Sequence, residues 1–195
     1  MTVTTVFFVR HAEPDLQNHD DASRGLSAKG LKDRELVTAF LGDEEIHAVF
    51  SSPFKRALDT VQPLALRKGL LVQTVADFRE RRVESGWIED FQGFCRKQWA
   101  DFRYKLPEGE CLSEVQSRNI AALSRLLTEY EGKTVVVGSH GTAMSTIINH
   151  YDSSFGYEDF EKIRGLMPWV VKFTFEGKRC VGIRKYDLFE NVLDK

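Results

Sequence analysis

The sequence predicts an α/β fold: a three-layer sandwich with a mainly parallel central sheet, helices on both faces and an antiparallel hairpin at the C-terminus. Short apolar runs rich in β-branched residues recur along the chain, and each is followed by a segment of helical or irregular character. The final two runs are instead joined by the tight turn Glu176-Gly177-Lys178, which reads as a hairpin. With 195 residues and 42% hydrophobic content, the chain is long enough to bury a core as one domain, without disulfide or metal staples.

Residues 5–9, Thr-Val-Phe-Phe-Val, have the content of a strand buried on both sides. Helix is expected over 27–41, with Ser27 placed to cap it, and a strand over 47–51. Residues 53–67 follow as a helix with Pro53 in its first turn, and 70–76 as a strand. The stretch 85–106 crowds Trp87, Phe91, Phe94, Trp99, Phe102 and Tyr104 among charges without a clean period, and is read as a cap or insertion over one face of the sheet. In 110–130, Leu112, Val115, Leu123, Leu126 and Leu127 recur at near-helical spacing. A strand over 134–139, a helix over 142–150 and the hairpin of 170–175 with 180–186 complete the order. No repeat, low-complexity tract or Pro/Gly/Ser-rich linker divides the chain, so 1–195 is expected to be a single domain.

A net charge of -2 gives no global field for nucleic acid or an anionic membrane, which argues against a DNA-binding module. Cys95, Cys111 and Cys180 are far apart and show no CxxC spacing, so neither a disulfide framework nor a zinc site is indicated. No apolar stretch approaches the roughly 20 residues needed to span a bilayer, and no secretory leader is apparent. A soluble cytoplasmic protein is the expectation.

The chemistry sits where strands end. Arg10-His11 closes the first strand, Ser51-Ser52-Pro53 closes the second with Arg56 one turn into the next helix, and Ser139-His140-Gly141-Thr142 closes the fourth. Ligands of open parallel sheets bind at the carboxyl ends of strands, so these residues can converge. Guanidinium forks pair with phosphate oxygens, imidazole serves as nucleophile or donor, and the helix starts at Ser52-Pro53 and Gly141-Thr142 offer N–H groups to an anion. Taken singly, His11 is a polar residue at a strand exit, His140 a core histidine and Arg56 a surface arginine; together they point to a phosphoryl group.

Arg10-His11-Ala12-Glu13 is similar to the Arg-His-Gly-Glu signature of the histidine phosphatase superfamily, also called phosphoglycerate mutase-like. Ser51-Ser52-Pro53 with Arg56-Ala57 and Thr60 resembles its second block, Pro107-Glu108-Gly109-Glu110 its third, and 136–141 its fourth, all in family order. The resemblance implies that His11 is the nucleophile that becomes phosphohistidine, while Arg10, Arg56 and His140 hold the transferring phosphoryl group. Phe78-Arg79-Glu80-Arg81 with the downstream Gly86-Trp87 is similar to the family's acid block, which makes Glu80 the proton donor, although its charge run also reads as a solvated loop. Arg79, Arg81 and Arg82 are expected to face away from Glu80 or to meet substrate. Gly141 and Arg24 are further substrate contacts, as is Ser27, for which a helix cap is an equal reading. Glu110 is either a first-turn carboxylate or an orienting residue.

The implied activity is metal-independent phosphomonoester hydrolysis of a small phosphorylated substrate, with no cofactor, no metal site, no nucleic acid and no membrane. A phosphoglycerate-type mutase and a silent phospholigand binder are the alternatives. The motifs specify neither leaving group nor oligomeric state. Two departures from the pattern stand out: Ala12 replaces glycine, which would tighten the pocket if positive φ were needed there or if the residue lies against the phosphate, and Cys111 replaces a serine.

Overall fold

A computed structural model describes residues 2–84 and 88–190. Strands β1 (Val3–Arg10), β2 (Ala48–Ser51), β3 (Val72–Thr74), β4 (Thr134–Ser139), β5 (Trp169–Glu176) and β6 (Arg179–Asp187) form one sheet in the order β3-β2-β4-β1-β5-β6. The first four are parallel, and the β5–β6 hairpin extends the β1 side antiparallel. β1 therefore lies inside the sheet, and its unbroken apolar run follows from having a core on each side. Val6 and Phe8 join one hydrophobic layer, while Phe7 and Val9 join the other.

Helices cover both layers, as expected. α1 (Ala28–Leu41) and α2 (Lys55–Arg67) supply Val37, Leu41, Val61 and Leu64 to the layer of Phe7 and Val9. The opposite layer takes Phe94 from α3 (Phe91–Ala100), Leu123 from α4 (Leu112–Glu129), Ile147 from α5 (Gly141–Tyr151) and Phe160 from α6 (Tyr157–Ile163). Among the described residues no helix is long and apolar enough to cross a membrane.

Several sequence expectations shift. The strand over 70–76 contracts to β3 at the sheet edge, where Leu71 is exposed. The helix over 53–67 begins only at Lys55, with Phe54 at its cap position, so Ser52-Pro53 does not open it. The aperiodic 85–106 contains a helix, α3, whose start is capped by the Asp90 carboxylate accepting the Gly93 N–H at 2.7 Å. Its buried residues are Phe94, Cys95 and Gln98, a mixed stripe: Phe94 and Cys95 join the apolar layer, while Cys95 and Gln98 also accept from the Arg81 guanidinium. Ser85, Gly86 and Trp87 of that expected cap lie outside the described residues. The short helix α6 carries no sequence expectation at all.

The register fixes the site. Arg10 of β1 pairs with Ser139 of β4, and Ser51 of β2 with Gly138. The ladder continues one residue further, with the His11 N–H donating to Ser139 O at 3.1 Å and the Ser52 N–H to Gly138 O at 2.8 Å. Three strand ends thus bring His11, Ser52 and His140 together.

Candidate active site

Above these strand ends lies a cleft of about 630 Å³ whose walls include Arg10, His11, Arg24, Arg56, Glu80 and Thr142. His11 is buried at its floor, and its Nδ1 lies 2.7 Å from the Ala12 carbonyl. A carbonyl only accepts, so Nδ1 carries the hydrogen and the neutral ring presents the Nε2 lone pair. Burial, then Arg56 and Arg10, push the His11 imidazolium well below its ordinary range and keep the ring neutral.

His140 is fully buried and packs against His11, the ring centroids 5.3 Å apart. Its Nε2 meets Ser52 Oγ at 2.8 Å, and burial, Arg56 and His11 hold it neutral as well. Ser52 thus supports His140, a role its motif position did not announce.

The two arginines are held differently. Arg10 donates from one guanidinium nitrogen to the carbonyls of Ile163 and Leu166 at 2.6 and 3.2 Å, and burial brings its acidity to about 10, with Glu80 opposing. Buried Nε of Arg10 and Nδ1 of His140 have no partner among the described residues. A Cβ on Gly141 would sit 3.1 Å from the Arg10 guanidinium carbon, so this glycine leaves room for it. Arg56 donates to the Asp21 carbonyl at 2.6 Å and pairs with the Asp21 carboxylate at 3.1 Å.

Glu80 stands across from these groups at the start of α5. Its carboxylate accepts the Arg81 N–H at 2.8 Å and the Thr142 N–H at 3.1 Å. The loop carrying it is clamped from α4: Arg118 donates to the carbonyls of Asp77, Arg79 and Glu80 and to both carboxylate oxygens of Glu110. Glu110 also accepts from the Arg79 side chain and the Arg82 N–H, each at 2.9 Å. Glu110 therefore ties this loop to Arg118 of α4. Burial alone would raise its carboxyl, yet Arg118, the Arg82 N–H and Arg79 hold it below the usual range. Arg118 has no motif; only the fold reveals it.

Of the remaining expected residues, Arg24 lines the cleft and pairs with Asp21 at 3.2 Å. Ser27 does not line it: its hydroxyl accepts the Gly30 N–H at 3.0 Å and donates to Glu13 at 2.7 Å, capping α1 against the loop after His11. Arg79 turns away to Glu110, whereas Arg81 and Arg82 line the cleft, as does His19. Ala12 causes no strain, since no described non-glycine residue has positive φ, and its N–H donates to Thr60 Oγ1 at 3.0 Å. Cys111 lies apart, at the start of α4, where its N–H donates to Glu114 at 2.9 Å. Among the described residues no group of three or more His, Cys, Asp or Glu could hold a metal ion.

Known proteins resemble this chain in sequence and in fold. The chain is 30% identical over 164 residues to phosphoglycerate mutase-like protein 4 of Arabidopsis thaliana, covering 73% of this chain and 68% of that one. It is 30% identical over 172 residues to a metal-independent phosphoserine phosphatase of the same plant, covering 74% and 67%. Its fold matches a phosphoserine phosphatase of Entamoeba histolytica at a TM-score of 0.76, with 20% identity over 97% of this chain and 100% of that one. A mycobacterial glucosyl-3-phosphoglycerate phosphatase matches at 0.74, with 18% identity over 94% and 97%. The family model for branch 1 of the histidine phosphatase superfamily matches residues 6–187, so the chain belongs to that superfamily.

Proposed function

We propose that the protein hydrolyses phosphomonoesters through a covalent phosphohistidine at His11, without a metal ion. Nε2 of His11 attacks phosphorus, the bond to the ester oxygen breaks, and the carboxylic acid of Glu80 gives its proton to the departing oxygen. Water then attacks the phosphohistidine, its proton passes to the Glu80 carboxylate, and phosphate leaves with the imidazole restored. Arg10 and Arg56 neutralise charge on the phosphoryl oxygens, neutral His140 donates a hydrogen bond to one of them, and Gly141, lacking a Cβ, leaves room for Arg10.

One observation carries this reading: a buried neutral His11 is fixed by the Ala12 carbonyl in the tautomer that frees Nε2, between two arginines. The relatives named phosphatases support hydrolysis, and the one named metal-independent supports doing without a metal. Under the same proposal the chain acts as one catalytic unit, with 85–106 as its cap. The free cysteines Cys95, Cys111 and Cys180 accord with a reducing cytoplasm.

The test is p-nitrophenyl phosphate hydrolysis in excess EDTA by the natural chain and His11→Ala. Turnover should survive the chelator and fall about 10³-fold or more in the variant. Equal turnover by both proteins overturns His11 as nucleophile, and phosphoglycerate isomerisation without phosphate release points to a mutase.

A further inference from the structure

We infer that Ser52 is a positioning residue that fixes the tautomer of His140, so that Nδ1 carries the ring hydrogen and is the atom that donates to the phosphoryl oxygen. The inference rests on the phosphohistidine reading above and adds the donor atom and the group that sets it.

A neutral imidazole carries one hydrogen, and which nitrogen holds it follows from the partners of both. Burial, then Arg56 and His11, keep His140 neutral. Its Nε2 lies 2.8 Å from Ser52 Oγ, a contact whose donor depends on the tautomer. The turn after β2 settles the direction. Ser52 is fully buried, and its Oγ accepts the Phe54 N–H at 3.2 Å. Among the described residues, Phe54 N and His140 Nε2 are the hydrogen-bond partners of this oxygen. A hydroxyl has one hydrogen to give and two lone pairs to fill. If Nε2–H donated to Oγ, both lone pairs would be filled, the hydroxyl hydrogen would have no acceptor, and Nδ1 would be a bare lone pair. Two buried polar groups would then be orphaned. If Oγ–H donates to Nε2, only Nδ1–H is left over, and buried Nδ1 is the ring nitrogen without a partner among the described residues.

The leftover donor suits the chemistry, since a lone pair at Nδ1 would repel a phosphoryl oxygen that Nδ1–H receives. The chain from Phe54 N–H through Ser52 Oγ–H to His140 Nε2 runs in one direction, each bond polarising the next. The ring is held as well as its hydrogen, packed against Phe54 and His11 with centroids 5.3 Å away in each case. The hydroxyl is anchored through the Ser52 N–H, which binds Gly138 O of β4, the strand that leads into His140. Both histidines of the site thus hold hydrogen on Nδ1. His11 directs it to the Ala12 carbonyl and offers a lone pair, whereas His140 gives its lone pair to Ser52 and offers the hydrogen.

The test is nitrogen-15 NMR of the histidine-labelled chain near neutral pH, with His140→Asn identifying the His140 signals. Nδ1 should be protonated and Nε2 bare in the natural chain. Ser52→Ala should move hydrogen onto Nε2, and Ser52→Thr, which keeps a hydroxyl, should hold it on Nδ1. Calorimetric binding of inorganic phosphate should weaken about tenfold or more in Ser52→Ala, the scale of one hydrogen bond to a charged group. Hydrogen on Nε2 in the natural chain, or an unchanged tautomer in Ser52→Ala at any affinity, overturns the role of Ser52. Phosphate affinity that does not fall when the hydrogen moves overturns Nδ1 as the donor. The tautomer is read without turnover, so failure of the hydrolase reading is seen separately, as p-nitrophenyl phosphate turnover that ignores His11→Ala.

Discussion

Replacing Arg118 with methionine keeps the stem of the side chain and deletes its charge. The guanidinium makes five hydrogen bonds of 2.6 to 3.3 Å, two to Glu110 and three to the carbonyls of Asp77, Arg79 and Glu80. Its side chain is only 11% exposed and that of Glu110 15%, so solvent replaces little of what is lost. Breaking one side of such a buried pair costs about 3–5 kcal/mol. Glu110 keeps Arg79 and the Arg82 N–H, which sets the expectation near the lower end, about 3 kcal/mol. A typical domain stability of about 5–15 kcal/mol leaves the variant folded at room temperature. Urea unfolding measures the loss, and a double-mutant cycle with Glu110→Gln should return a coupling of about 1 kcal/mol or more.

The same variant should loosen the loop that positions Glu80, which gives a kinetic signature that destabilisation alone does not. Glycerol 1-phosphate releases a poor leaving group that requires a proton, whereas p-nitrophenolate leaves with little help. Turnover of the glycerol ester should fall about 10²-fold, the lower range for general acid catalysis, and that of the nitrophenyl ester far less. Equal loss on both substrates would refute the positioning role, and unfolding free energy within about 0.5 kcal/mol of the natural chain would refute the clamp itself.

Two further outcomes follow from burial and close approach. Because His11 and His140 are depressed below 6.5 in the folded chain, both states hold them neutral above that pH; below it the unfolded chain takes up protons that the folded one does not. Stability should therefore decline as pH falls through that window, by up to about 1.4 kcal/mol per pH unit for each histidine, and His11→Asn or His140→Asn should each flatten the slope; a flat profile in urea unfolding refutes it. Gly30→Ala would place Cβ 2.1 Å from the Glu13 carbonyl oxygen, so α1 must move off the loop after His11, at a cost of about 1–3 kcal/mol read as a lower thermal midpoint.

The strands were legible because their residues answer to one constraint. β1 reads as continuous Val and Phe since both its faces are covered, and the hairpin is marked by Gly177, which takes φ +58°. The strand-end residues were legible for a related reason: ladder register brings them together however far apart they lie in sequence. Ser52 misled, because a serine before a proline looks like a helix cap, and only the β2–β4 pairing shows its hydroxyl reaching His140. α3 escaped because periodicity registers apolar side chains, while the polar Gln98, bonded to a guanidinium, shares its buried stripe with Phe94 and Cys95.

Charge explains why the second half of the cleft could not be read from composition. The chain has 27 basic and 29 acidic residues, so its cationic cleft is no product of excess. It arises from how carboxylates are distributed. Glu80 and Glu84 flank Arg81 in sequence, which reads as a balanced surface run, yet no described ion pair joins either to its guanidinium. Glu110, 29 positions beyond Arg81 by its numbering, is committed to Arg79 and Arg118. Among the described residues no ion pair joins a carboxylate to Arg10 or Arg81, the first held by carbonyls at the C-terminal end of α6 and the second by side chains of α3. Since α3 and α6 pack together through Trp99 and Phe160, ring centroids 5.7 Å apart, the spacing of the two cations is set by helix packing.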